Sequence, residues 1–217
     1  MKKNLNPKTK VLSFKHLPMD LARIVCSVLI TIYRIKRITP SGEKYENKLS
    51  DGAIIASNHT SFADPFLVGV TFWYRRMFFL VGEAVMVGKL RPLLIKGVGG
   101  IKIEREKTDL DAIKKSVEVL KNGHLLAIFP QGGINKQDCV DTIKSGAVLI
   151  ALQAGVPIIP MYICPKGKWF QRRKVIIGDA LNPKELCNKK MPSTNDIADI
   201  THKLTGALQE CINSYAD

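Results

Sequence analysis

From about Lys48 onward, short apolar runs alternate with stretches of helical periodicity, and this alternation constrains the fold more than any other feature of the chain. Ala53 to Ala56, Met77 to Val81, Ile101 to Ile103, Leu125 to Phe129, Ile158 to Ile163 and Val175 to Ile177 read as strands. Between them, Pro65 to Tyr74, Thr108 to Lys121, Ser145 to Ala154 and Ile197 to Ile212 read as helices. Thr108-Asp109-Leu110-Asp111 can cap the second of these, Ile113, Val117 and Leu120 share one face, and Gly123 stands just past its end. Gly155 stops the third in the same way. Strands separated by helices imply an α/β fold, a single domain with a mixed, largely parallel sheet flanked by helices. Active groups in such sheets gather just beyond the strand ends, which directs attention to the loops at Asn58, Arg105, Gln131 and Pro160.

The N-terminal part has a different character. Residues 1–47 form a basic segment set apart from a folded unit over residues 48–217. Within it, Leu17 to Ile35 reads as a helix with Leu21, Ile24, Val25, Val28, Leu29, Ile32 and Tyr33 at three-to-four spacing. Its uninterrupted apolar stretch, Ile24 to Tyr33, is about half of the roughly 20 residues that a spanning helix needs. An amphipathic helix lying in a membrane interface fits better than a span, and docking on the protein's own core accounts for the pattern equally well. The apolar region begins too late for a cleaved signal peptide, and no small-x-small site follows it.

Charge narrows the partners. The chain of 217 residues carries a formal +14, and its first 48 residues hold eleven Lys and Arg against Asp20, Glu43 and Glu46. An anionic partner follows, and nucleic acid and an acidic membrane face attract such a segment through the same screened field. Nucleic acid is the weaker reading, because the chain has no zinc finger, no aromatic RNA-recognition signature and no helix of base-reading residues. With 46% apolar and 24% charged residues, the chain is neither disordered nor collagen-like. Five scattered cysteines, with no C-x-x-C pair and no zinc-ligand spacing, point to thiols in a reducing compartment and to no metal site. Cys139 as a nucleophile near Gln131 and Gly132 is a remote alternative.

Asn58-His59-Thr60-Ser61-Phe62-Ala63-Asp64 follows the first strand. A neutral imidazole held by a carboxylate is a common device for drawing a proton from a hydroxyl near pH 7. The plain alternative is local: Ser61 as a helix N-cap, Asp64 in the first turn and Pro65 where proline is tolerated. Both can hold together, since a histidine just before a helix and a carboxylate one turn inside it can meet. Further along stand Gly99-Gly100-Ile101-Lys102-Ile103-Glu104-Arg105, Phe129-Pro130-Gln131-Gly132-Gly133-Ile134 and Val156-Pro157-Ile158-Ile159-Pro160, with Lys144 and Gly146 ahead of the last. Gly97-Val98-Gly99-Gly100 is followed by a strand and no G-K-[ST], so these glycines read as a tight turn or a close backbone approach and not as a nucleotide loop. The apolar run from Val85 to Ile95, interrupted by Lys89 and Arg91, reads as lipid-touching or as interior. Trp73-Tyr74-Arg75-Arg76 reads as a membrane-interface cluster or as a helix end closed by cations.

The four blocks together resemble those of the glycerolipid acyltransferase family, across roughly residues 50 to 165. The first matches N-H-x-S-x-x-D in full, the second matches G-x-I-x-x-x-R at its glycine, isoleucine and arginine, and the fourth matches V-P-I-I-P. The third departs from F-P-E-G-T-R-S: Gln131 stands for glutamate, Gly133 for threonine, Ile134 for arginine and Asn135 for serine. The resemblance implies an acyltransferase moving a fatty acyl group from a thioester, on acyl carrier protein or coenzyme A, to the free hydroxyl of a lysophospholipid. The acceptor it implies is 1-acyl-sn-glycerol-3-phosphate and the product phosphatidic acid. His59 and Asp64 would be catalytic, and Asn58, Ser61, Arg105, Gln131, Gly132, Lys144 and Pro157 would contact substrate. No cofactor or metal is implied beyond the acyl-donor substrate. Isoleucine cannot make arginine's bidentate phosphate contact. The third block therefore leaves two alternatives open, a different lysolipid acceptor, with Lys136, Lys144, Arg172 or Arg173 supplying charge, or a catalytically weak lipid-binding member. A membrane-lipid substrate places the protein on the cytoplasmic face of the cell membrane, peripheral or monotopic, with an anionic membrane surface as partner.

Overall fold

The computed structural model describes residues 16–33, 35–104, 109–134, 143–165, 173–187, 189 and 192–216. In chain order the elements are α1 (Leu17–Tyr33), β1 (Lys36–Ile38), β2 (Ala53–Ser57), α2 (Asp64–Thr71), β3 (Met77–Gly82), α3 (Arg91–Gly97), β4 (Gly100–Ile103), α4 (Leu110–Lys121), β5 (Leu125–Ile128), α5 (Gly146–Ala154), β6 (Ile158–Ile163), β7 (Lys174–Ile177), α6 (Pro183–Leu186) and α7 (Thr194–Ala216). The seven strands form one sheet in the order β1-β7-β6-β2-β5-β3-β4. Strands β6, β2, β5, β3 and β4 run parallel, β7 is antiparallel to β6, and β1 is parallel to β7. The expected mixed, largely parallel sheet is therefore present.

Strand β2 lies at the centre, with Ile54 opposite both Leu126 and Ile158. All five of its residues are buried, because helices cover both faces of a parallel sheet and leave no polar alternation. Side chains alternate between the faces. On one side Ile54, Leu126 and Ile158 pack with Leu120, Ile150, Leu204 and Leu208 from α4, α5 and α7. On the other, Ile55, Leu125 and Met161 pack with Leu67, Val68 and Phe72 at α2. Helix α4 begins as its sequence predicts, with the Asp109 carboxylate accepting the Ala112 N–H at 2.9 Å. Helix α7 begins earlier than Ile197, since Ser193 and Asp196 bond reciprocally: the Ser193 N–H reaches the Asp196 carboxylate at 2.8 Å, and the Asp196 N–H reaches Ser193 Oγ at 3.2 Å.

Three elements had no periodic signal. Strand β1 is three residues with only Ile38 buried, an edge strand that falls inside the basic segment yet pairs with β7. Nearby Tyr45 belongs to the core. Helices α3 and α6 are too short for an apolar period to show. At the end of α3 the glycine run behaves as close packing requires: Gly99 has φ +96°, and a Cβ on Gly100 would fall 2.2 Å from Ile95 Cγ2.

The membrane-interface reading of Trp73 to Arg76 is corrected for its two arginines, both of which are buried. Arg75 donates to the carbonyls of Leu49, Asp51 and Gly123. Arg76 holds Asp20 of α1 through two bonds, Nε to Oδ1 at 2.8 Å and an η nitrogen to Oδ2 at 2.9 Å. These cations satisfy backbone oxygens and a buried carboxylate and are not available to headgroups. The start of α1 is thereby docked, with Met19 and Asp20 buried, while Leu21, Ile24, Val25 and Val28 remain exposed. Among the described residues, no helix is long and apolar enough to cross a membrane.

Candidate active site

The carboxyl end of β2 releases the chain into Asn58-His59-Thr60-Ser61, and α2 starts three residues later at Asp64. This tight return brings the imidazole and the carboxylate together. His59 Nδ1 lies 3.2 Å from Asp64 Oδ2, and the same oxygen accepts the backbone N–H groups of Thr60 at 2.6 Å and Ser61 at 2.7 Å. Ser61 Oγ donates to the other oxygen at 3.0 Å. Burial pushes the Asp64 carboxyl up, but the bonds from His59, Ser61 and Thr60 together outweigh it and hold the group below its ordinary value. Asp64 is thus a carboxylate at neutral pH and can accept from Nδ1–H of the imidazole.

The ring is held from a second direction. Phe129 stacks on His59 with centroids 4.3 Å apart and planes 25° apart. This contact follows from the register, in which Ala56 of β2 pairs with Ile128 of β5, so Phe129 leaves its strand beside the His59 loop. Phe129 stands in the sequence as the last residue of a strand and the first of the third block, and the pairing of β2 with β5 is what gives it a role. The pair opens on a cavity of about 1460 Å³. Phe79, Val81, Ile103, Ile113, Ile128 and Ile150 make much of it apolar, whereas His59, Glu104, Asp109 and Lys144 bring polar groups to its lining. Such a volume exceeds the roughly 300–1,000 Å³ of an ordinary small-molecule site and suits long hydrocarbon chains.

The other expected site residues divide by position. Lys144 lines the cavity and lies over Gly132, where an added Cβ would be 3.1 Å from its Cε and 3.5 Å from its Nζ. Gly132 lines the cavity at φ +76°. Gln131 precedes it in the same turn. Ser61 acts on Asp64 as described. Asn58 spends its amide differently from expectation: Nδ2 donates to the Ile163 carbonyl at 3.2 Å and Oδ1 accepts the Ile163 N–H at 2.8 Å, bracketing the ends of β2 and β6. Pro157 is a correction. It precedes β6 at the strand's amino end, where its carbonyl accepts from Ile54, roughly 15 Å along the strands from His59, and it does not line the cavity. The V-P-I-I-P block forms central strand, and its first proline faces the wrong edge of the sheet for a pocket wall.

Arg105 lies outside the described residues, as do Lys136, Cys139 and Arg172. On either side of residues 105–108, Glu104 and Asp109 both line the cavity, and the Glu104 N–H donates to Asp109 at 3.1 Å. Arg173 stands at the start of β7, where its carbonyl accepts from Lys36. Among the described residues, no group of three or more His, Cys, Asp and Glu side chains could hold a metal ion.

An α/β sheet with a histidine held by a buried aspartate at the carboxyl end of its central strand, opening on a large apolar cavity, is the frame of an enzyme with a lipid-sized site. The Acyltransferase family model matches residues 36–164, and the chain belongs to the acyltransferase family. It is 28% identical over 174 residues to a 1-acyl-sn-glycerol-3-phosphate acyltransferase of Bacillus subtilis, covering 77% of this chain and 85% of the relative. It is 26% identical over 144 residues to a chloroplastic 1-acyl-sn-glycerol-3-phosphate acyltransferase of Arabidopsis thaliana, covering 64% of this chain but only 39% of that longer protein. Its fold is similar to the crystal structure of the 1-acyl-sn-glycerophosphate acyltransferase from Thermotoga maritima, with a TM-score of 0.58 and 20% identity over 88% of this chain and 78% of that one.

Proposed function

We propose that this chain acylates the free hydroxyl of 1-acyl-sn-glycerol-3-phosphate with a fatty acyl group from a thioester, giving phosphatidic acid. The observation that carries the reading is the His59–Asp64 pair at the mouth of the large apolar cavity. His59 Nε2 takes the proton from the acceptor hydroxyl as its oxygen attacks the thioester carbonyl. The tetrahedral intermediate then collapses, the carbon–sulfur bond breaks, and the leaving thiolate takes the proton back from the imidazolium. Asp64 holds the tautomer and stabilises the imidazolium charge. No acyl-enzyme forms, so the two substrates must be held together by the cavity walls, while Phe129 stacking holds the His59 ring.

Lys144, placed over Gly132 within the cavity, offers its ammonium to the acceptor's phosphate, with Arg105 assigned the same task by its place in the second block. The donor is an acyl thioester on acyl carrier protein or coenzyme A. The protein works on the cytoplasmic face of the cell membrane, where the basic N-terminal segment and the exposed Leu21, Ile24, Val25 and Val28 of α1 suit an anionic bilayer.

A second reading concerns the acceptor. Ile134 stands where the family's third block has arginine, and its side chain cannot bind phosphate. A lysolipid without a phosphomonoester is therefore the alternative substrate. The test is a panel of lysolipid acceptors, with and without that group, offered to the purified protein with labelled acyl thioester. The proposal requires product with 1-acyl-sn-glycerol-3-phosphate. Preference for an acceptor lacking the phosphomonoester would move the substrate but keep the chemistry, and absence of product with every acceptor would overturn both.

A further inference from the structure

Between β3 and β4 the chain carries an apolar surface that no part of the described structure covers. Val87, Leu90, Leu93 and Leu94 are 62%, 64%, 68% and 60% exposed. Single exposed aliphatic side chains are ordinary on a protein surface, but four within eight consecutive residues form a patch that calls for a partner.

The arrangement is that of an in-plane helix. With 3.6 residues per turn, Leu90, Leu93, Leu94 and Gly97 fall on one face, and Arg91 and Lys96 fall on its two flanks. Lys89, Arg91 and Lys96 are all exposed, whereas the acid that begins the segment, Glu83, has the Lys102 ammonium at 3.5 Å. The opposite face turns inward: Ile95 packs on Gly100 and lines the cavity together with Val85 and Val98. The start of α1 abuts this element, since a Cβ on Gly97 would lie 3.6 Å from Pro18, and Val25 of α1 lines the same cavity.

We infer that residues 83–98 are a bilayer-entering element, with Leu90, Leu93 and Leu94 in the headgroup and acyl boundary and Lys89, Arg91 and Lys96 at anionic headgroups. The inference rests on the reading of this chain as an enzyme of membrane lipids. A convex helix face flanked by cations matches an anionic lipid surface, into which leucines sink while lysine and arginine stems reach outward. Continuity with the cavity gives the docking a purpose, because a lipid acceptor can slide from the leaflet past Val85, Ile95 and Val98 toward His59 without its chain crossing water. An acidic carrier protein is the competing occupant.

The test uses the full chain and the double variant Leu93→Glu/Leu94→Glu, whose positions are exposed and outside the cavity lining. Sedimentation with vesicles of phosphatidylglycerol and phosphatidylcholine is measured beside turnover of a short-chain 1-acyl-sn-glycerol-3-phosphate dissolved as monomers. Vesicle binding should fall by at least about tenfold while turnover of the dissolved acceptor stays within about twofold. The uncharged pair Leu93→Ser/Leu94→Ser should weaken binding in the same direction, and an unchanged thermal melt verifies the fold. Vesicle binding within about twofold of the wild type overturns the inference. So does a loss confined to transfer from acyl carrier protein, which would make the patch a protein-docking surface. Loss of vesicle binding in a protein that turns over no lysolipid would leave the docking element standing and remove the enzymatic reading instead.

Discussion

Asp64 receives four hydrogen bonds, from His59 Nδ1, the Thr60 and Ser61 N–H groups and Ser61 Oγ, and this is what fixes the ring of a loop histidine. Ser61 is not the helix N-cap, a position that Ala63 holds without a side-chain bond; its hydroxyl instead donates to Asp64 in the first turn. The carboxylate that fixes the imidazole also ties down the turn leading into α2. Replacing Asp64 by Asn keeps the shape but removes the charge that fixes the tautomer, so kcat should fall by about two to four orders of magnitude with KM little changed. The same variant tests the acid limb of stability. Because the folded-state value of Asp64 is depressed, its contribution is complete above the ordinary carboxylate range near pH 4 and is lost as pH falls through the folded value. The Tm difference between wild type and Asp64→Asn should therefore be constant at neutral pH and shrink on acidification below about pH 4, and a gap that widened there would contradict the account. At this scale the sequence carried His59, Asp64 and Lys144 in recognisable patterns. The stacking of Phe129, the bracketing by Asn58 and the misplacement of Pro157 depend on strand pairing and direction, which a linear spacing does not encode.

Among the elements, α1 is the one whose placement decides most. Its first turn is pinned by the buried Asp20–Arg76 pair, with two bonds of 2.8 and 2.9 Å, and the helix supplies Met19, Ala22 and Val25 to the cavity wall. Removing one member of such a buried pair strips the other of its opposite charge, which costs about 3–5 kcal/mol. Asp20→Ala should lower the unfolding free energy read from a urea titration by an amount in that range and shift the midpoint down, whereas Asp20→Glu should recover part of it. A midpoint unchanged in Asp20→Ala would show that the helix start is not clamped. The periodic elements were legible because burial imposes their pattern: β2, β5 and β6 are buried throughout and read as continuous apolar runs. Strand β1 was hidden because an edge strand of three residues buries one side chain. Helix α3, seven residues long, was too short for an apolar period to show. Its leucines are exposed, so its sequence resembles a core segment while its surroundings do not.

For the whole molecule, the parallel sheet gathers the working groups at one edge. The ends of β2, β4 and β5 bring His59, Glu104 and Phe129 to a common cavity, with Lys144 arriving from the turn before α5. Exposed apolar side chains on α1 and along residues 83–98 then give the cavity an apolar approach. This division of labour, a rigid polar site at the strand ends and an oily path leading to it, is what acylation of a membrane-bound alcohol demands. The most direct measurement is the initial rate of acyl transfer from a fatty acyl thioester to 1-acyl-sn-glycerol-3-phosphate by wild type and His59→Ala at matched fold, followed by thiol release and by product. A fall of about 10²- to 10⁴-fold in His59→Ala, with thiol and product still in equal amounts, is the predicted result. A rate within about twofold of wild type would contradict it, because no other group in the cavity is assigned the acceptor's proton.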